Sequence, residues 1–83
     1  MNKLLELQSK IDDINSKILN LIVQRNQIVK KIGEYKKQKN LPIYNPKREE
    51  EIHKKMRNAA ERKNLNKKFV KKLFNLIIKQ SRR

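Results

Sequence analysis

The chain has 83 residues, with 23 Lys and Arg against 8 Asp and Glu, a net charge of +15 and no cysteine. Without thiols there is neither a disulfide framework nor a thiolate metal site, so stability has to come from packing. No run of about 18 apolar residues exists to span a bilayer, and Met1-Asn2-Lys3 leads into mixed polar helix instead of a signal-peptide hydrophobic region, so a soluble, cytoplasmic protein without a membrane partner is expected.

From Leu4 the apolar residues fall at Leu4, Leu7, Ile11, Ile14, Ile18 and Leu21, then Ile28, Ile32 and Tyr35, in alternating steps of three and four. This pattern predicts one helix from about Lys3 to Lys39, with Gly33 its only glycine and no proline to break it. Such a helix is on the order of 55 Å long, whereas a compact monomer of this size is only about 30 Å across. A chain this short also buries only about 60% of the surface its unfolded form exposes. A second chain is therefore expected to cover the apolar seam, giving an intertwined homodimer.

Asn40 reads as a C-terminal cap, and Leu41-Pro42-Ile43-Tyr44-Asn45-Pro46 as a loop. Asn45 then caps a second helix with Pro46 at its first position, running to about Lys63 and stopped by Asn64. Asn66 caps a third, in which Phe69, Val70, Leu73, Phe74, Ile77 and Ile78 define a buried face. The fold class is all-α, three helices in a single domain over residues 1–83, without repeats or an interdomain linker.

The positive charge suggests a polyanion such as nucleic acid, but Lys10, Lys17, Lys30, Lys37, Lys54, Lys63, Lys71 and Lys79 are scattered along all three helices. They do not form one stripe interleaved with aromatic residues, so most of the charge reads as solvated surface and a nucleic-acid partner is not expected. Arg25 is more informative, because the heptad that sets Leu21 and Ile28 on the seam sets position 25 there too. A buried cation costs several kcal/mol unless paired, so Arg25 either meets an anion or packs its stem while its head reaches water. Lys36 lies three helical turns further on and projects from nearly the same face. Arg48 and Glu49 fall in the first turn of the second helix, where backbone N–H groups favour anions, and Ser81 shares the inner face of the third. Gly33 suggests close approach of a neighbouring backbone. Tyr35 and Tyr44 read as packing residues. His53 follows Glu49 by one turn, but no second histidine exists to build a metal site or a nucleophilic triad, so neither metal nor cofactor is expected.

Over nearly its whole length the chain resembles the all-helical chorismate mutase family. The resemblance rests on Ile11-Asp12, Arg25, Ile32-Gly33-x-x-Lys36, Pro42-Ile43-Tyr44-Asn45-Pro46-x-Arg48-Glu49 and Leu73-Phe74-x-x-Ile77-Ile78-x-x-Ser81. It implies an interlocked dimer with two sites, each completed by the other subunit's first helix, and the Claisen rearrangement of chorismate to prephenate. By that resemblance Arg25 binds a substrate carboxylate and Lys36 donates to the ether oxygen. Glu49 accepts from the ring hydroxyl with help from the backbone at Asn45, while Arg48 and Ser81 complete the wall.

Two positions depart from the family's pattern. Where the family has an arginine three residues before the Ile-Asp pair, reaching into the partner's site, this chain has Gln8, and its helical neighbours Leu4, Leu5, Ile11 and Asp12 supply no cation. Exchanging a charge-assisted for a neutral hydrogen bond loses about 1 kcal/mol or more. The Gln or Glu that many members carry on the turn beyond Ser81 is also missing, as the sequence ends at Arg83. Both departures predict a weakened enzyme. The competing readings are an isochorismate-pyruvate lyase on the same fold, a non-catalytic mutase-like binding module, and a basic nucleic-acid binder.

Overall fold

Asparagines punctuate the chain. In the computed structural model, which describes residues 2–82, the elements are α1 (Lys3–Gln38), α2 (Pro46–Arg62) and α3 (Lys67–Ser81). The Asn45 side chain accepts from the Arg48 N–H at 3.1 Å and the Asn66 side chain from the Phe69 N–H at 3.0 Å, each satisfying a donor that the first turn leaves without an intrahelical partner. Asn2 does the same for α1, accepting from the Leu4 and Leu5 N–H groups at 3.0 and 3.2 Å. At the other ends Asn40 and Asn64 both take φ 56°, the left-handed conformation that asparagine tolerates better than most residues. Leu41 then donates back to the Lys36 carbonyl and Leu65 to the Ala60 carbonyl, each at 2.8 Å, so α1 and α2 close with the same Schellman turn.

The chain divides into two units, one running to Glu34 and the other beginning at Tyr35. The first consists of α1 helix alone. None of the described residues of α1 is buried, and its seam is open: Leu4, Leu7, Ile11, Ile14, Ile18, Leu21 and Ile28 are all among the exposed apolar residues. The half-buried positions of the helix are instead Ile22, Arg25, Val29, Gly33 and Lys36. Arg25 is thus half-buried like Ile22 and Val29, and on the helix it stands between their stripe and the line through Leu21 and Ile28 on which the heptad places it. No atom outside its own helical backbone and its two chain neighbours comes within 4 Å of where a Cβ on Gly33 would sit, so the expected close approach is not made by this chain.

The second unit is a helical hairpin. Pro46 starts α2, the turn after Arg62 is short, and α3 packs back against α2. Ala60, Val70 and Ile78 are buried, and Ile52, Met56, Ala59, Phe74 and Ile77 are half-buried around them. On each helix these positions step by four, then three, then one, the stripe that one helix presents to another. The expected inner face of α3 needs correcting. Phe69 and Leu73 are 60% and 39% exposed, and with Leu76 they form a second apolar stripe turned by about a third of the helix circumference from the core stripe. Periodicity marks apolar residues on a helix without saying which of two stripes a neighbour in the same chain will cover.

Because α3 rests on its cap and one stripe of contacts, Asn66→Ala is expected to destabilise the protein by about 1 kcal/mol. A reduced urea midpoint with unchanged slope checks this; an unchanged midpoint contradicts it.

Candidate active site

The functional residues of the second unit gather where α1 ends, α2 begins and α3 ends. Lys36, in the last turn of α1, is half-buried, and its Nζ donates to the Ile43 carbonyl at 3.2 Å, fastening the loop across the helix end. The next loop residue, Tyr44, offers its ring to Arg82, whose guanidinium carbon lies 4.6 Å from the ring centroid. Arg82 in turn grips Glu49 at two points: Nε donates to Oε2 at 2.7 Å and the terminal Nη2 donates to Oε1. A continuous line of contacts therefore runs from Lys36 through the loop and Arg82 to Glu49.

The position of Glu49 follows from the cap. Asn45 fixes the first turn of α2, the Glu49 N–H donates to the Asn45 carbonyl at 3.1 Å, and the carboxylate is left on the side of α2 that meets the end of α3. Its side chain is only 18% exposed, against 41% for Arg82. The hydrogen bonds from Arg82 hold the Glu49 carboxyl below its ordinary range. Partial burial opposes them, while the charges of Arg82 and His53 act with them. Glu49 is thus an ionised acceptor, and Lys36 and Arg82 are cations in the same neighbourhood. This arrangement suits an anionic ligand carrying a hydroxyl group.

The other expected residues are placed as follows. Asn45 spends its side-chain oxygen on the cap, and Ser81 is half-buried with its Oγ donating to the Ile77 carbonyl at 2.8 Å. Arg48 directs its guanidinium along the surface of α2 to Glu51, 3.6 Å away. His53 is half-buried one turn after Glu49, and among the described residues no group of three or more His, Cys, Asp or Glu could hold a metal ion. Arg25 is half-buried and Gln8 is exposed, both in the first unit. Arg83, with which the sequence ends, lies outside the described residues, as does Met1.

Arg82 is the residue that reading the sequence missed. The contact spans 33 positions, too far for any local pattern. A coarse signal did exist: in an antiparallel hairpin, residues about equally far from the turn come together, and fourteen residues outward from Lys63 and from Asn66 reach Glu49 on one helix and Gln80 on the other, two residues short of Arg82.

Residues 7–83 match the chorismate mutase type II family, and the chain belongs to that family. It is 35% identical over 82 residues to the chorismate mutase of Methanocaldococcus jannaschii, covering 99% of this chain and 83% of that one. It is 36% identical over 80 residues to the bifunctional chorismate mutase/prephenate dehydratase of Buchnera aphidicola subsp. Schizaphis graminum, covering 96% of this chain and 21% of that much longer protein. The solved structure of chorismate mutase (form I) from Thermus thermophilus superposes with a TM-score of 0.88 at 32% identity, covering 96% of this chain and 99% of that one. No helix among the described residues is long and apolar enough to cross a membrane.

The depressed Glu49 carboxyl makes a signed prediction. A carboxyl held low in the folded state adds stability above its ordinary value of about 4.5, and that contribution fades as pH falls through the lower folded value. Glu49→Gln is therefore expected to melt below the unaltered protein near pH 7, with the gap closing in acid. Thermal melts across that range check this, and a gap independent of pH contradicts it.

Proposed function

We propose that the protein is a chorismate mutase, converting chorismate to prephenate for aromatic amino acid biosynthesis, and that it works in the cytoplasm as an intertwined homodimer of one catalytic domain per chain. The observation that carries this reading is the convergence of Lys36, Glu49 and a second cation, Arg82, in a chain whose residues 7–83 match the family. The relatives' names supply the reaction; the residues supply a way of performing it.

A concerted rearrangement needs no nucleophile and no proton transfer from the protein. It needs a folded-up substrate and charge placed where the transition state develops it. Chorismate is a dicarboxylate with a ring hydroxyl, and negative character grows on the breaking ether oxygen. Lys36 donates to that oxygen, its Nζ already directed toward the loop at the Ile43 carbonyl. Glu49, ionised, accepts from the hydroxyl, with the Asn45 backbone beside it. Arg25 binds a carboxylate, and Arg48 and Ser81 close the wall. Holding the reactive conformer lowers the entropic part of the barrier.

Gln8 of one subunit would reach the site of the other. The dimer is supported by apolar surface that a single chain leaves uncovered: the α1 seam from Leu4 to Ile32, and Phe69, Leu73 and Leu76 on α3. Interdigitated copies cover both stripes and bring a first helix to each site.

Purified protein is expected to deplete chorismate absorbance and form prephenate; no acceleration over the uncatalysed rate overturns the reading. Lys36→Ala and Arg25→Ala should each lower kcat/KM about 100-fold or more while keeping the helical circular dichroism of the parent, and near-normal rates in both would refute the assigned roles. Gln8→Arg should raise kcat/KM by roughly tenfold, the factor expected of a charge-assisted bond over a neutral one. An unchanged value places Gln8 outside the site.

A further inference from the structure

Arg82 belongs to the converging cluster but is assigned no contact with the substrate above, and its donors are directed to Glu49. We propose that Arg82 is a positioning residue for Glu49: its guanidinium, backed by the Tyr44 ring, locks the carboxylate at both oxygens and presents it as a fixed acceptor for the substrate hydroxyl. The inference deepens the proposed function, since it rests on Glu49 receiving that hydroxyl.

Three constraints meet at the guanidinium. Nε donates to Oε2 at 2.7 Å, Nη2 donates to Oε1, and the guanidinium carbon lies 4.6 Å from the centre of the Tyr44 ring. The two donors lie on one edge of a rigid plane, so the pair fixes the tilt of the carboxylate as well as its place. Each carboxylate oxygen has two lone pairs, and this grip uses one on each, leaving the others for an incoming hydroxyl. An unrestrained glutamate would have to be ordered when substrate binds; here α3 and the loop have already ordered it.

An ordinary surface ion pair does none of this. Such pairs are exposed on both sides and weakly oriented, as Arg48 with Glu51 is, at 3.6 Å with both side chains about half exposed. Glu49 is 18% exposed, is held at two points, and is joined to a residue at the end of another helix. Lysine cannot replace the fork, because an ammonium is a point charge without a two-donor edge. The charged or titratable groups acting on Glu49 are Arg82 from the end of α3 and His53 from α2, with Tyr44 of the loop stacked on Arg82. Removing Arg82 therefore takes away the largest influence keeping Glu49 ionised in acid.

The test compares the unaltered protein with Arg82→Ala and Arg82→Lys by steady-state kinetics across pH and by carbon-13 NMR titration of the Glu49 carboxyl. Arg82 caps the end of α3, and thermal melts verify that both variants are folded. Arg82→Ala is expected to lose about tenfold or more in kcat/KM, with its acidic limb and the Glu49 titration moved together to higher pH. Arg82→Lys should recover much of the acidic limb, because it restores charge, but little of the rate, because it does not restore the fork. A kcat/KM for Arg82→Ala within twofold of the parent overturns the proposal, as does a lower rate with the acidic limb and titration unmoved. Absence of turnover in the unaltered protein is a different result, overturning the proposed reaction itself whatever Arg82 does.

Discussion

The constraint behind everything else is that one copy of this chain leaves the apolar seam of α1 uncovered. Among the described residues Ala60, Val70 and Ile78 are buried, all in the hairpin, while the 36-residue α1 has no buried residue. Helices in proteins owe less to propensity than to packing of their apolar face against a neighbour. The α1 seam is aliphatic from Leu4 to Ile32 except at Arg25, and a second apolar stripe runs along α3. This apolar surface forms the interface of the proposed dimer. On the proposed dimer the same contact that makes α1 stable also delivers a residue from one subunit to the site of the other, so folding and catalysis depend on one interaction.

The site uses charge in a way that the overall composition hides. A net charge of +15 spread over three helices says little about any one lysine. The informative cations are those held in place: Lys36 by a loop carbonyl and Arg82 by a carboxylate and an aromatic ring. On the proposed reaction a fixed Lys36 stabilises developing charge without having to reorganise, while Arg82, its donors directed to Glu49, holds the acceptor in place. A rearrangement that moves electrons within one molecule suits such a site, where the protein's task is to orient and to stabilise.

Much of this was legible in the sequence, and the reasons differ from one element to another. The helix ends were readable because asparagine and proline act locally: Asn40, Asn45, Pro46, Asn64 and Asn66 each stand where their own backbone chemistry puts them. The long helix was readable because its period persists for about ten turns without a breaker. Glu49 was readable as a first-turn residue, since Asn45 and Pro46 locate the start of α2. Burial was not readable in the same way. Phe69 and Leu73 obey the period of α3 but lie on the stripe that α2 does not cover, and Gly33 has no neighbour within the chain that requires it to be small. Arg82 was the hardest, because its significance comes from the hairpin returning its end of α3 to Glu49, and nothing adjacent to it in sequence announces that.

The most direct measurement of the central claim is the concentration dependence of unfolding. If a second copy covers α1, unfolding and dissociation are one process, and each tenfold rise in protein concentration adds about 1.4 kcal/mol of apparent stability. The urea midpoint should then climb steadily over a hundredfold concentration series. A midpoint that stays fixed across the series, with α1 helical throughout, would contradict the account.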